Sequence, residues 1–366
     1  MLREGLFRHF LWFSLCLNML PNVYAKDENA VSYPKLNEKL IKVEQLSQSA
    51  RQTTKKRRYV EALADLNSAL ELLSEHQESE SQVKIATLHC QLGTVYIEQG
   101  RWPEAEESLS VCLEAARRLH QSKLAGEALV KLGQNAFKQG QYEVAISHLQ
   151  EAVTLTTNIN DLSGLAFARL WLGATAAINN NFEQAESELL EAVEIARKAE
   201  DPSTEGRARN ILGENSRLAG QYEAAIKHYQ QALSIYEPID NRFGMTMVIH
   251  NLGHVMMMMG DTQTALQYYD RSLEMAIEIN AIPAALEILA ALAAIAKNAG
   301  EVGRALDLLG LVYAHSAAPK EALHMFADPT LALLQKGFQA ERIESGLARG
   351  RALEFEKVVD DILAKK

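Results

Sequence analysis

The sequence predicts an all-α protein built from stacked helical hairpins, and three sets of residues at a 40-residue spacing support that prediction. Leucine–glycine pairs begin at positions 92, 132, 172, 212 and 252, and alanines stand at positions 105, 145, 185, 225, 265 and 305. A period of this length indicates one structural unit that repeats along the chain and packs on its neighbours. The third set consists of glycines, with asparagine at one position: Gly100, Gly140, Asn180, Gly220, Gly260 and Gly300.

Residues 203–236 show why the unit is a helical hairpin. Apolar and small residues recur at helical spacing on both sides of Gly220, and this glycine suits the left-handed turn that ends a helix. Gly213 and Ala225 are small enough to let the two helices approach closely, and Tyr229 is expected to fill the space beside them. Because one hairpin cannot bury both of its faces, neighbouring hairpins must stack on it.

Composition limits the classes of partner. The chain has 366 residues, of which 48% are hydrophobic, and a formal net charge of -10. Nucleic-acid binding needs a positive surface to meet the phosphates, so a chain this acidic is not predicted to bind nucleic acid. A neutral or basic protein or peptide partner is expected instead.

The first 25 residues have the layout of a secretory signal peptide. Arg3 and Arg8 precede an apolar run over residues 10–20, and Ala25 ends a small-residue cleavage site. The apolar run is shorter than the about 20 residues that span a bilayer. We therefore predict cleavage after Ala25, a short disordered lead over residues 26–35, and an exported protein, periplasmic or secreted. An uncleaved membrane anchor is the alternative.

The cysteine pattern leaves one pairing open. Cys16 belongs to the predicted signal peptide, whereas Cys90 and Cys112 fall on the two predicted helices of one hairpin. An exported chain could join them in a disulfide. Antiparallel packing places them about one helical turn apart in level, which favours two small buried residues over a bridge.

The repeated motif has a known counterpart. The pattern L-G-x-x-Y at Leu92–Tyr96, followed by G-x-W-x-x-A at Gly100–Ala105, resembles the tetratricopeptide repeat (TPR) family, and the resemblance covers about residues 38–316. It implies a right-handed superhelical α-solenoid of helix-turn-helix repeats that binds other proteins. The 40-residue period resembles the longer-helix subclass found in cell-polarity adaptors, kinesin light chains and bacterial regulators.

Deviations from the period predict the domain boundaries. The first unit is degenerate, with Arg57 at its turn, and the regular pattern stops near residue 317. The predicted segments are a signal peptide (1–25), a lead (26–35), a degenerate N-terminal cap repeat (36–75), six TPR repeats (76–316) and a C-terminal helical cap (317–366).

The predicted cap has a resemblance of its own. Its stretch Gly350–Leu353, G-R-A-L, resembles the tail that follows the repeats of large bacterial ATPase and LuxR-type (MalT-like) regulators. The resemblance implies only the role of a helical cap that closes the array. Helical patterns are expected over residues 320–326, 329–345 and 353–364.

In the resembled family the first helix of each hairpin lines a concave groove. An apolar patch beside a polar face in this groove suits a peptide with an apolar anchor and a hydrogen-bonding stretch. Arg207, Asn210 and Arg217 could clamp a carboxylate or backbone groups. The alternative is a network neutralised internally by Glu214. The groove residues predicted by helical spacing are Glu127, Gln134, Phe137, Phe167, Leu170, Arg207, Asn210, Arg217, Met247, His250, His254 and Met257.

The fifth unit combines methionines with two histidines. His250 and His254 are four residues apart and share one helix face. Asn251 stands where H-E-x-x-H metalloproteases carry their glutamate, so that chemistry is not predicted. Imidazole and thioether groups could hold copper, with Met247 and either Met257 or Met258 as further ligands. An adaptable apolar binding surface is the favoured interpretation, because methionine packs flexibly.

The functional prediction is a non-enzymatic scaffold or adaptor. The sequence contains no phosphate-binding loop, no G-x-S-x-G elbow and no C-x-x-C motif, and no cofactor is predicted. The chain is expected to bind a peptide or protein segment in the TPR groove, in the bacterial cell envelope. The alternatives are a periplasmic copper-binding protein and a cytosolic signalling or transcription-regulator accessory protein. Self-association through the two ends of the array, where the repeat pattern is irregular, is a further alternative.

Overall fold

The computed structural model describes residues 33–318 and 323–364. Within these ranges every regular element is a helix, which confirms the predicted all-α solenoid of helical hairpins. The chain forms two compact units, and the boundary between them falls after Gln91. The predicted signal peptide, including Cys16, and residues 26–32 of the predicted lead lie outside the described residues.

The first unit contains the predicted degenerate repeat. Its helices α1 (Tyr33–Lys55) and α2 (Tyr59–Leu73) pack on each other, and the first part of α3 (Ser79–Glu98) completes it. Arg57 takes the left-handed conformation at the turn, with φ 59°. Helix α1 begins three residues before the predicted boundary at 36, inside the segment that was predicted as a disordered lead.

The second unit begins within α3 and continues through the remaining repeats. Its helices alternate as the first and second members of successive pairs. They are α4 (Trp102–Arg118), α5 (Ser122–Lys138), α6 (Tyr142–Asn158), α7 (Leu162–Ile178), α8 (Phe182–Lys198), α9 (Pro202–Leu218), α10 (Tyr222–Tyr236), α11 (Arg242–Met259), α12 (Thr262–Glu278), α13 (Ile282–Asn298) and α14 (Val302–Ala314).

First helices of successive pairs touch one another in this unit. Helices α5 and α7, α7 and α9, α9 and α11, and α11 and α13 are in contact. Across the described part of the unit, successive second helices make no comparable contact. First helices therefore lie on the inner side of the curve of this unit, where the family resemblance places a groove.

The turns inside the hairpins explain the 40-residue glycine series. All five glycines of the series have positive φ, between 71° and 85°, and Asn180 adopts the same conformation with φ 60°. The backbone N–H of Gln141 donates to the carbonyl oxygen of Ala136 at 2.9 Å, closing the helix end around Gly140. Glycine and asparagine tolerate this conformation with the least steric cost, so the series marks where each first helix stops.

A second series of residues in the left-handed conformation lies at the turns that join one hairpin to the next. None of these residues is a glycine, so the sequence gives no comparable signal for them. These residues have φ between 47° and 54°. Side chains following three of them cap the next helix, as when the Asp201 carboxylate accepts a hydrogen bond from the Thr204 backbone N–H at 3.0 Å. The residues are His120, Asn160, Glu200, Asp240 and Asn280.

Within a hairpin, the glycine of each leucine–glycine pair faces a leucine or tyrosine side chain of the second helix. A Cβ atom on Gly213 would lie 2.5 Å from Cε1 of Tyr229, and one on Gly133 would lie 2.5 Å from Cγ of Leu149. Ala225 is fully buried, as a close approach of the helices requires. Tyr229 therefore lies directly over Gly213, where the missing side chain leaves room.

Four further elements follow α14 and cap the end of the second unit. They pack on α12, α13 and α14, which supports the cap role implied by the G-R-A-L stretch. The predicted run 329–345 is two helices, because Phe338 and Gln339 have extended backbone. The elements are a π-helical turn (Leu323–Ala327), α15 (Asp328–Gly337), α16 (Ala340–Arg351) and α17 (Phe355–Leu363).

Glycines bring α16 against α14. A Cβ atom on Gly350 would lie 2.2 Å from the carbonyl oxygen of Asp307, and one on Gly310 would lie 2.4 Å from that of Leu347. The two backbones can approach this closely only because neither glycine carries a side chain. The glycine of the G-R-A-L stretch is therefore a packing residue.

The described cysteines differ from the interpretation favoured by the sequence. Cys90 and Cys112 are both buried, as expected. Both are disulfide-bonded, however, and are not the free buried thiols that the difference in helix level suggested.

No helix among the described residues is both long enough and apolar enough to cross a lipid bilayer.

Candidate functional site

The structure divides the predicted groove residues by exposure. The surface formed by α5, α7, α9, α11 and α13 is called the first-helix surface below. Gln134, Leu170, Arg217 and His250 are buried in it, and Leu170 is 0% exposed, so in this conformation it packs in the core and does not face a ligand. The other eight are exposed or half-buried: Glu127, Phe137, Phe167, Arg207, Asn210, Met247, His254 and Met257.

Aromatic rings and positive charges meet on α5, α7 and α9. The ring centroid of Phe137 lies 5.2 Å from that of Trp171, and Phe167 meets Trp171 edge to face at 6.3 Å. The guanidinium of Arg207 lies 5.0 Å from the Phe167 centroid, and the Lys131 ammonium lies 5.3 Å from the same centroid. These five residues are called the aromatic–cation cluster.

The two cations of the cluster have no acidic partner within salt-bridge distance in the described chain. Burial lowers the pKa of Lys131, and the charge of Arg207 lowers it further, while Glu98 and Glu127 act in the opposite direction. Burial likewise lowers the pKa of Arg207. Desolvation thus acts against both charges, and repulsion from Arg207 also acts against the charge of Lys131.

Arg217 shows the opposite arrangement. Its guanidinium binds both carboxylate oxygens of Glu214, and the Tyr229 hydroxyl donates to the same carboxylate at 2.9 Å. Burial raises the pKa of Glu214, but the hydrogen bonds and charge of Arg217 outweigh this, so that the pKa is lowered overall. The proposed clamp of Arg207, Asn210 and Arg217 is therefore split, since Glu214 neutralises Arg217 but not Arg207.

Asn210 also has a partner within the protein. Its side-chain oxygen accepts a hydrogen bond from the Asn251 amide at 3.1 Å, which ties α9 to α11. This asparagine pair continues the polar part of the first-helix surface from the fourth repeat to the fifth.

The chain itself covers the fifth repeat. Phe326, on the π-helical turn, is 3% exposed, and its ring centroid lies 4.9 Å from that of His254 and 5.9 Å from that of His250. Met247 and Met257 are partly buried against the same core. The adaptable apolar surface predicted for this repeat is thus occupied by the protein's own C-terminal segment.

The two histidines are held as neutral rings. Burial lowers the pKa of His250 to about 3, with a further contribution from His254. Burial and the charge of Arg217 lower the pKa of His254 to about 4. His250 Nε2 lies 3.7 Å from a carboxylate oxygen of Glu287. Among the described residues, no group of three or more His, Cys, Asp or Glu is arranged to hold a metal ion.

Sequence reasoning missed three residues of this surface. Lys131 and Trp171 lie one position outside the helical spacing used for the groove, and Phe326 lies beyond the repeats. The sequence did offer a signal for Trp171, because this tryptophan directly follows the predicted groove residue Leu170 in a helix of mostly small residues. Nothing in the local sequence indicated that Phe326 would reach the fifth repeat.

Two family models match the chain. The model described as MalT-like TPR region matches residues 126–312. A model described as tetratricopeptide repeat matches residues 84–158. No curated protein sequence matches the chain significantly.

Solved structures with the same fold include complexes with bound ligands. A Rap protein complexed with competence and sporulation factor is 15% identical with TM-score 0.61, covering 90% of this chain and 99% of that one. NprR in complex with its cognate peptide NprX is 14% identical with TM-score 0.59, covering 92% of this chain and 95% of that one.

A longer protein also contains the fold. A signal transduction ATPase with a tetratricopeptide repeat sensor from Pyrococcus horikoshii is 18% identical with TM-score 0.55. The match covers 88% of this chain but 50% of that one. At these identities, the likeness to all three structures shows the shared fold.

Proposed function

Because this chain belongs to the family of MalT-like tetratricopeptide-repeat regions, we propose that it is a non-enzymatic scaffold that binds a peptide or protein segment along its first-helix surface. Repeat arrays of helical pairs present extended inner surfaces to which partner segments bind. The contacts between successive first helices support such a surface on α5, α7, α9 and α11.

The aromatic–cation cluster is the observation that supports this proposal most strongly. Phe137 and Phe167 are half-buried and accessible on one side, and they are held in place by the buried ring of Trp171. Aromatic and arginine side chains supply a large share of the binding energy at protein interfaces. A partner segment that places an apolar side chain against these rings would bury them further and gain hydrophobic free energy.

Two of the structures with the same fold are complexes, and one of these contains a bound peptide. The Rap protein is complexed with competence and sporulation factor, and NprR is complexed with NprX. Their likeness is one of fold, so it supports a peptide or protein segment as the class of ligand and does not indicate its sequence.

The proposal includes a location in the cell envelope. The signal-peptide pattern of residues 1–25 supports export. The disulfide-bonded state of Cys90 and Cys112 also supports it, because disulfides persist in oxidising compartments. The mass of the mature N-terminus, together with cell fractionation, tests this part. A cytosolic protein with an intact N-terminus would contradict it.

Affinity capture tests the binding function. The mature chain is used to capture partners from its own envelope extract, alongside the double variant Phe167→Glu/Arg207→Glu. The variant is expected to keep its helical circular dichroism and to lose the partner. A matched control, Val144→Glu/Arg118→Glu, also replaces one apolar residue and one arginine by glutamate, but at exposed positions of second helices, and should capture normally. Equal capture by all three proteins would show that the first-helix surface is not the binding site.

A further inference from the structure

The two cations of the aromatic–cation cluster share one ring. Lys131 on α5 and Arg207 on α9 both lie near the ring of Phe167 on α7, at 5.3 Å and 5.0 Å from its centroid. Arg207 also lies 5.8 Å from the centroid of Trp171. Two positive charges from different repeats thus converge on one half-buried aromatic site.

Two other cations of α7 and α9 are neutralised by carboxylates, whereas Lys131 and Arg207 are not. Arg217 on α9 binds Glu214, and Arg169 on α7 lies 2.7 Å from an oxygen of Glu188. Over the ranges that the structure describes, Lys131 and Arg207 have no salt bridge. Like charges held together away from water are unfavourable unless an anion joins them.

A third polar group at the site lacks a partner. The indole N–H of Trp171 is buried, in a side chain that is 6% exposed, and finds no acceptor in the described part of the chain. A buried donor without a partner costs about 1–3 kcal/mol relative to one that is satisfied. Lys131 donates one long hydrogen bond, at 3.5 Å, to the neutral side-chain oxygen of Gln134. The indole N–H of Trp171 and the two positive charges therefore favour a further acceptor that carries negative charge.

We propose that the aromatic–cation cluster binds an acidic side chain, Asp or Glu, of the partner segment, with an adjacent apolar residue of that segment packed on Phe137 and Phe167. This inference rests on the proposed function of the first-helix surface and adds the chemistry of its ligand. A carboxylate is planar and accepts several hydrogen bonds, so it can pair with the Arg207 guanidinium while its negative charge also offsets the charge of Lys131.

The proposal reverses the expectation from net charge. The whole chain carries -10, which favours a neutral or basic partner. Within the cluster, however, the local charge is positive. Glu98 and Glu127 act on Lys131 from a distance, but no described carboxylate lies within salt-bridge distance of Lys131 or Arg207. Over a few ångströms the local charges dominate, because salt screens exposed charges over about 8–10 Å.

A displayed peptide library identifies the ligand chemistry without a known partner. The probe is a random twelve-residue segment with fixed residues on both sides. Because the segment has no free C-terminus, the only carboxylates in it are those of Asp and Glu side chains. The wild-type chain should enrich segments with an acidic residue next to a large apolar one. The variant Lys131→Gln/Arg207→Gln should enrich apolar residues but no acidic ones. The control Lys123→Gln/Lys138→Gln removes two exposed charges of α5 and should behave as wild type.

Affinity measurements on one enriched acidic peptide complete the test. Fluorescence anisotropy should show binding at least about 10-fold weaker for Lys131→Gln/Arg207→Gln and little change for the control. Arg207→Lys, which keeps the charge, should retain more affinity than Arg207→Gln, which separates loss of charge from misfolding.

The possible failures are distinguishable. Enriched segments without acidic residues in the wild-type selection, or an acidic preference that survives in the double variant, would overturn the inference and leave the binding function standing. Enrichment only from a library with a free C-terminus would show that a chain end binds and would also overturn it. Failure of the wild-type chain to enrich any segment would count against the proposed function itself.

Discussion

The ring of Phe326 packs on the imidazole of His254, with centroids 4.9 Å apart, and so places the C-terminal segment on the first-helix surface of the fifth repeat. His250 contributes a second, T-shaped contact at 5.9 Å. The C-terminal segment therefore covers the first-helix surface around α11. The aromatic–cation cluster on α5, α7 and α9 stays partly accessible.

Loss of the Phe326 ring should destabilise this end of the protein. Phe326→Ala removes a side chain that is 3% exposed, so we expect the free energy of unfolding to fall by about 3 kcal/mol. Urea titration followed by circular dichroism measures the change. The neighbouring variant Met325→Ala is the control, because Met325 is 43% exposed and should cost little. Equal effects for both variants would contradict the packing role of Phe326.

Acid should weaken the same region through the two buried histidines. The folded-state pKa of His250 is about 3 and that of His254 about 4, both below the ordinary value of 6.5. Between these values the unfolded chain binds more protons than the folded one, so stability should fall as pH decreases from about 6.5 to 4.

Denaturant titrations at pH 5 and pH 7 measure this dependence, and His254→Gln should reduce the loss of stability between them. His120→Asn is the matched control, because His120 is an exposed turn residue, and it should leave the pH dependence unchanged. A wild-type protein with the same unfolding free energy at both pH values would contradict the neutral, buried state of the histidines.

A side chain at Gly350 should disrupt the cap. In Gly350→Ala the added Cβ would meet the Asp307 carbonyl oxygen at 2.2 Å, so α16 must move away from α14. We expect a loss of roughly 2 kcal/mol or more, from overpacking against a rigid backbone. Thermal unfolding compares it with Gly337→Ala, where a Cβ meets no atom within 4 Å. A Gly350→Ala protein as stable as the Gly337→Ala protein would show that the helices separate easily.

Relief of backbone strain at Glu200 should stabilise the protein. Glu200 has φ 53°, a left-handed conformation that costs a residue with a side chain about 1–2 kcal/mol. Glu200→Gly removes that cost, but glycine loses more conformational entropy on folding, which offsets part of the benefit. We therefore expect the free energy of unfolding to rise by a net amount of about 0.5–1 kcal/mol, measured by thermal unfolding. Asn280→Gly, at the equivalent turn with φ 52°, should gain less because asparagine already tolerates this conformation. A loss of stability in Glu200→Gly would contradict this account.

The sequence by itself determined the repeat fold and its turns. Gly140 and Asn180 mark helix ends because the left-handed conformation there depends on the residue itself, and Gly213 marks a close helix contact because only an absent side chain makes room for Tyr229. Such requirements are local, so they recur at every period and can be recognised from one chain.

Only the tertiary structure decided which groups of the first-helix surface are available. Arg207 and Arg217 lie on the same helix and look alike in sequence, yet Glu214 and Tyr229 neutralise the second, while the first lies over Phe167 from another repeat. Phe326 lies beyond the periodic region of the sequence, and it contacts the fifth repeat because the C-terminal segment turns back onto that repeat. Pairing and burial of this kind join residues that are distant along the chain, and they depend on three-dimensional packing that helical spacing alone does not specify.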